Sequence, residues 1–187
     1  AEEITLIAVS KKQQEYRIDA SLVAGHRVFG ENRVQEAQKR WADRKHQYPE
    51  LSLHLIGPLQ SNKAADAVFL FDVIHTIDRP KIALAISKEV ARQNKSIECF
   101  IQVNTGDEPQ KSGVNPRDLE SFISFCREEA GLQIKGLMCI PPVDEEAALH
   151  FGFLNTLATR NDLKGLSMGM SGDYEEAIKF GATHIRV

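Results

Sequence analysis

Short apolar runs alternate along this chain with longer stretches whose apolar residues recur at helical spacing. Leu6-Ile7-Ala8-Val9 is apolar on both faces, as expected of a parallel strand covered on both sides. A strand over residues 5–10 leads to a helix over 15–24, closed by Gly25, a helix-stop signal. The pattern then predicts a strand over 27–30 and a helix over 34–45 whose buried stripe is Val34, Ala37 and Trp41. A strand over 51–56 ends at Gly57-Pro58, and Ser61 caps a helix over 61–71. The strand 73–77 precedes a helix that starts at Pro80 and runs to residue 94. Strand 97–103, the loop 104–115 and a helix opened by Pro116 come next. Pro141-Pro142 end a strand over 133–140 before a helix over 145–159. Strand 166–168, helix 173–180 and strand 184–187 complete the series.

Unbroken alternation of this kind implies a parallel sheet with helical crossovers. Eight units are what closes a (β/α)8 TIM barrel, so the expected class is α/β, with residues 1–187 forming a single domain. The competing open, doubly wound sheet is disfavoured because no GxGxxG follows the first strand. The abrupt start and finish suggest a piece lacking a leading helix and a C-terminal loop and helix.

Composition narrows the classes without changing that picture. Of 187 residues, 42% are hydrophobic and 26% charged, and the net charge of −3 is spread over both signs, which points away from nucleic acid. No apolar run has the length of a membrane span, and the acidic opening Ala1-Glu2-Glu3 is unlike a secretory signal. Cys99, Cys126 and Cys139 form no CxxC pair, and two lie in apolar runs. They read as buried, reduced thiols of a cytoplasmic protein.

In a barrel, chemistry belongs at the C-terminal ends of the strands. Lys11 stands at the mouth of the first strand, on the face of Thr5, Ile7 and Val9, where partial burial would leave more free amine to attack a carbonyl. The alternative is a lysine that snorkels to solvent. Ser167-Met168-Gly169-Met170-Ser171-Gly172-Asp173 joins the seventh strand to its helix and offers amides and a hydroxyl to a phosphate. A plain turn capped by Ser171 or Asp173 explains it equally well. Gly30-Glu31-Asn32 and Gly57-Pro58-Leu59-Gln60-Ser61-Asn62-Lys63 are polar turns with the same double reading. The six histidines show no metal-ligand spacing, and no GxSxG marks a hydrolase nucleophile.

Taken together these stretches resemble the YggS/PROSC family of pyridoxal 5′-phosphate-binding (PLP homeostasis) proteins. The matching residues are Ala8-Val9-Ser10-Lys11, Phe29-Gly30-Glu31-Asn32, the segment from His54 to Lys63, Lys111-Ser112-Gly113, Leu166 to Ser171, and Ile185-Arg186. The resemblance implies a single barrel like the N-terminal domain of alanine racemase. It also implies that Lys11 forms an aldimine with pyridoxal 5′-phosphate, that Ser171 with the amides of Met170 and Gly172 grips the phosphate, that Asn32 lies along the ring, and that Arg186 faces the pyridine nitrogen. The family continues past Arg186-Val187 with a Gly-Thr turn, and often has threonine where this chain has Lys12. The function implied is intracellular PLP homeostasis by a cofactor-holding protein without robust catalysis, a monomer with transient PLP-dependent client enzymes. An amino-acid racemase of the alanine-racemase type is the alternative, and a lysine aldolase without cofactor a third.

Overall fold

The computed structural model describes residues 4–187, so the acidic opening Ala1-Glu2-Glu3 lies outside the described residues. The elements in order are β1 (Thr5–Val9), α1 (Glu15–Val23), β2 (Val28–Glu31), α2 (Val34–Gln47), β3 (Ser52–Leu55), α3 (Ala64–Leu70) and β4 (Val73–Ile77). Then follow α4 (Pro80–Gln93), β5 (Glu98–Gln102), α5 (Leu119–Ser124), β6 (Gln133–Met138), α6 (Ala147–Arg160), β7 (Gly165–Met170), α7 (Tyr174–Lys179) and β8 (His184–Arg186). All neighbouring strands pair in parallel, and β1 pairs with β8, which closes the barrel. The expected (β/α)8 fold is the observed one.

Most boundaries shift by a residue or two, and three expectations need a larger correction. Pro116 does not open a helix: α5 starts at Leu119 and widens into a π turn over Phe125–Glu129. The strand expected over 166–168 runs from Gly165 to Met170, because its glycines and serine are held by pairing rather than by strand propensity. Ser61 begins a single 3₁₀ turn (Ser61–Lys63) ahead of α3.

The main apolar core lies between the strands and the helical ring. Trp41 of α2, fully buried, packs tilted against Phe29 of β2 with ring centroids 4.6 Å apart, and Val34 and Ala37 complete the stripe read from the sequence. A much smaller cluster, Val73, Phe100 and Met138, is separate from it. Phe100 stacks on His75 at 4.6 Å, and His75 in turn bonds Ser167 on the far side of the barrel, so this cluster belongs to the interior. Barrel interiors are normally filled by branched apolar side chains. Here His54, His75, Ser167 and Arg186 occupy much of that space, all of them buried.

The three cysteines are free and buried, as expected, and burial pushes the Cys126 and Cys139 thiols up to about 12. Among the described residues no helix is long and apolar enough to cross a membrane.

Gly136 and Gly165 face each other across β6 and β7, and a Cβ on Gly136 would sit 2.0 Å from the Gly165 carbonyl oxygen. Since the obstacle is backbone within a closed sheet, Gly136→Ala should cost about 3 kcal/mol or more in urea unfolding. A loss below about 1 kcal/mol would show that the two strands can part there.

Candidate functional site

Barrel closure brings four consecutive strands together, β7, β8, β1 and β2, and the candidate residues come from their C-terminal ends. In register, Arg186 of β8 lies opposite Met170 of β7 and Ile7 of β1. Val9 of β1 lies opposite Gly30 of β2, two residues before Asn32. The strands that carry or lead to Met170, Arg186, Lys11 and Asn32 are therefore neighbours although the sequence spreads these residues over most of the chain, while the cavity that Asn32 lines includes none of the other three.

Lys11 is not on the strand. β1 ends at Val9, and Lys11 and Lys12 are the central residues of a turn in which the Gln13 amide donates to the Ser10 carbonyl at 3.1 Å. Both lysines are exposed, which corrects the expectation of a partly buried amine on the Ile7 face. The strand pattern fails there because Lys12 adopts φ 59°, a left-handed conformation that reverses the chain.

The turn after β7 is open. Ser171 and Gly172 are exposed, and neither the Ser171 hydroxyl nor the Gly172 amide has a partner among the described residues. The Met170 amide is already engaged, donating to Asp173 Oδ1 at 2.6 Å. Of the three groups expected to grip a phosphate, two are free and one is held by a carboxylate.

Arg186 is buried, and its guanidinium donates to Ser167 Oγ at 2.8 Å and to the Cys139 carbonyl at 3.0 Å. No carboxylate pairs with it among the described residues, and burial pulls it below the usual arginine range. With five N–H donors and two named acceptors, the group retains hydrogen-bonding capacity for a ligand. Asn32, half-buried, carries an Oδ1 that is hidden from solvent and has no hydrogen-bond partner. It lines a cavity of about 290 Å³ at the barrel mouth with Thr76, Gln102, Asn104 and Lys111. Its backbone is pressed against Gly57, where a Cβ would lie 2.2 Å from the Asn32 carbonyl oxygen, so the Gly57-Pro58 turn fixes Asn32 in place.

Sequence reading missed what stands behind Arg186. Ser167 Oγ lies 2.9 Å from His75 Nδ1, His75 Nε2 lies 2.9 Å from His54 Nδ1, and His54 Nε2 lies 3.0 Å from Ser52 Oγ. This file of hydrogen bonds crosses the barrel interior from the half-buried Ser52 to the buried cation. The signal available beforehand was two histidines inside consecutive strands, His54 and His75, but parity does not by itself say which face of a strand covered on both sides points inward. Burial holds His54 neutral, pushed down to about 3, and likewise drives His75 well below the ordinary histidine range. His184, whose ring lies 5.0 Å from that of Phe100, is pushed down to about 4 by burial. Among the described residues no histidine, cysteine or carboxylate group of three could hold a metal.

Comparison with known proteins places the chain. The family described as alanine racemase, N-terminal domain, matches residues 3–187. The pyridoxal phosphate homeostasis protein of Vibrio alginolyticus is 38% identical, over 100% of this chain and 84% of that protein. Its namesake in Escherichia coli K12 is 37% identical over 100% and 83%. Among solved structures, PipY of Synechococcus elongatus PCC7942, with PLP bound, has a TM-score of 0.90 at 38% identity, covering 98% of this chain and 90% of that one. Alanine racemase of Clostridium difficile 630 shares the fold at 12% identity, TM-score 0.76, over 51% of its own length.

The buried neutral histidines make a pH prediction. Unfolded, each titrates near 6.5; folded, each titrates well below that, so the unfolded chain binds more protons in between. Stability is therefore complete above pH 6.5 and is lost as the pH falls, by up to about 1.4 kcal/mol per pH unit for each histidine. Urea unfolding between pH 7 and pH 5 should show this loss, with a shallower slope for His184→Phe. A midpoint independent of pH over that range would contradict neutral interior histidines.

Proposed function

The chain belongs to the alanine racemase N-terminal domain family, alongside the pyridoxal phosphate homeostasis proteins, and on that premise we propose that it binds pyridoxal 5′-phosphate at the mouth of its barrel for PLP homeostasis. The observation that carries this reading is Arg186: a buried cation with no carboxylate partner among the described residues, on the strand that lies between β7, which ends at the Ser171 turn, and β1, which leads to the Lys11 turn. A buried charge needs a compensating partner, and an anionic, nitrogen-bearing ring supplies an acceptor there.

The division of labour follows from position. Lys11 supplies an amine to the cofactor aldehyde. Ser171 and the Gly172 amide take the phosphate, and Met170 contributes its amide where Asp173 yields it. Asn32 turns its unpartnered oxygen toward the ring, held there by Gly57. Arg186 donates an N–H to the ring nitrogen and disfavours its protonation. When bound, the cofactor supplies an aldehyde and an electron-withdrawing ring. A cation at its nitrogen makes that ring a weaker electron sink, which suits holding the cofactor better than turning over an amino acid. Three free cysteines accord with a reducing, cytoplasmic setting.

Purified protein mixed with pyridoxal phosphate should show a visible absorbance band that borohydride abolishes, with the reduced label mapping to Lys11. Lys11→Ala should lose the band and the label, while Lys12→Ala should keep both. A band that survives Lys11→Ala places the attachment elsewhere. Racemisation of common amino acids at about 1 per second, an ordinary enzyme rate, would favour the racemase instead.

A further inference from the structure

Lys11 and Lys12 are chemically identical neighbours, both exposed, in one turn. Something other than residue type must decide which of them reaches the cofactor. The surroundings of that turn point to Arg40 of α2. Its guanidinium donates to the Ser10 carbonyl at 2.8 Å and to the Gln13 carbonyl at 3.4 Å, the two ends of the Lys11–Lys12 pair, and its Nε donates to Glu15 Oε1 at 3.0 Å. One planar group thus straps residues 10–15.

Glu31 anchors the strap from behind. It sits at the end of β2, fully buried, and faces α2 rather than the barrel mouth. Its Oε1 accepts from Arg40 at 2.8 Å, from Ser10 Oγ at 2.7 Å and from Trp41 Nε1 at 3.0 Å. Burial by itself would pull the Arg40 guanidinium down, but the hydrogen bonds it donates to Glu31 and Glu15 carry it above its ordinary value. The strap is needed because Lys12 holds φ 59°, a conformation that favours glycine and relaxes when nothing enforces it.

We propose that Arg40, anchored by Glu31, is a positioning group that selects Lys11 over Lys12 as the amine that condenses with pyridoxal phosphate. The selected amine attacks the aldehyde carbon, a C=N bond replaces C=O, and the carbonyl oxygen leaves as water with both amine hydrogens. Holding the Ser10 and Gln13 carbonyls fixes the direction of each side chain out of the turn. This inference rests on the cofactor reading above and adds a residue-level choice to it.

The test is a labelling ratio. Full-length native chain, Arg40→Gln and Arg40→Lys are each incubated with pyridoxal phosphate, reduced with borohydride and mapped by mass spectrometry. Arg40→Lys keeps a cation beside the buried Glu31 but lacks the planar fork, so it guards against a mere folding failure. In the native chain the ratio of Lys11 to Lys12 label is expected to be on the order of a hundred to one, the scale on which a small misplacement acts. In both variants it should fall about tenfold or more, with total label nearly unchanged. Without cofactor, amide exchange at Gln13 should quicken in the variants while exchange across α2 stays as it was. Native-like ratios in both variants overturn the selector and leave the cofactor reading intact. Absence of label from both lysines in the native chain overturns the cofactor reading itself.

Discussion

The structure depends on the pairing of β1 with β8. The Thr5 amide donates to the Thr183 carbonyl at 2.8 Å, the Val187 amide to the Ile7 carbonyl at 3.0 Å, and the Val9 amide to the Val187 carbonyl at 2.7 Å. Those bonds join segments at opposite ends of the described chain, so their loop-closure cost is recovered only when the other seven strand pairs and the helical ring are also in place. They also assemble the candidate site, because β7 and β8 carry the Ser171 turn and Arg186 while β1 and β2 lead to Lys11 and Asn32. Without closure the two halves of the site stand on opposite edges of an open sheet.

A second constraint follows from what fills the barrel. An apolar interior would be more stable than one holding a lone guanidinium, and Arg186 survives there because it is tied to neutral dipoles instead of a counter-ion. Ser167 accepts from Arg186 and meets His75, which meets His54, which meets Ser52. Each member satisfies the next, so the polar file avoids unpaired buried groups apart from the capacity left on Arg186 itself. Phe100 lies flat on His75, with ring planes 2° apart, and keeps that ring from turning. The cation is thereby rigid and only partly compensated, a condition that costs stability and favours a ligand.

Much of this was legible in the sequence. Strand alternation was plain wherever apolar runs were long, as in 73–77, where the expected and observed strands coincide. The Val34, Ala37, Trp41 stripe specified the buried face of α2. Turns were harder, since their geometry depends on backbone conformation that residue type only biases. Nothing in Ser10-Lys11-Lys12-Gln13 announces a left-handed lysine, and Gly30-Glu31-Asn32 looked like three residues at a mouth. In the fold Glu31 turns outward to Arg40 and Trp41 while Asn32 stays at the cavity, because strand parity sends neighbours to opposite faces. The contact between Ser167 and His75 joins residues 92 apart in sequence, and only the closed barrel brings them together.

The turn after β7 shows how the same elements bear on binding strength. The Met170 amide, bonded to Asp173 Oδ1 at 2.6 Å, already has a charged acceptor before any ligand arrives. A phosphate that takes this amide must displace the carboxylate and then tolerate its charge nearby, so the gain from the third donor is offset by repulsion. Ser171 and Gly172 carry no such competitor. Two free donors and one contested donor would hold an anion less tightly than three free ones. A weaker grip would suit the proposed role of holding and exchanging pyridoxal phosphate, whereas an enzyme that must keep its cofactor through many turnovers gains from having all three donors free.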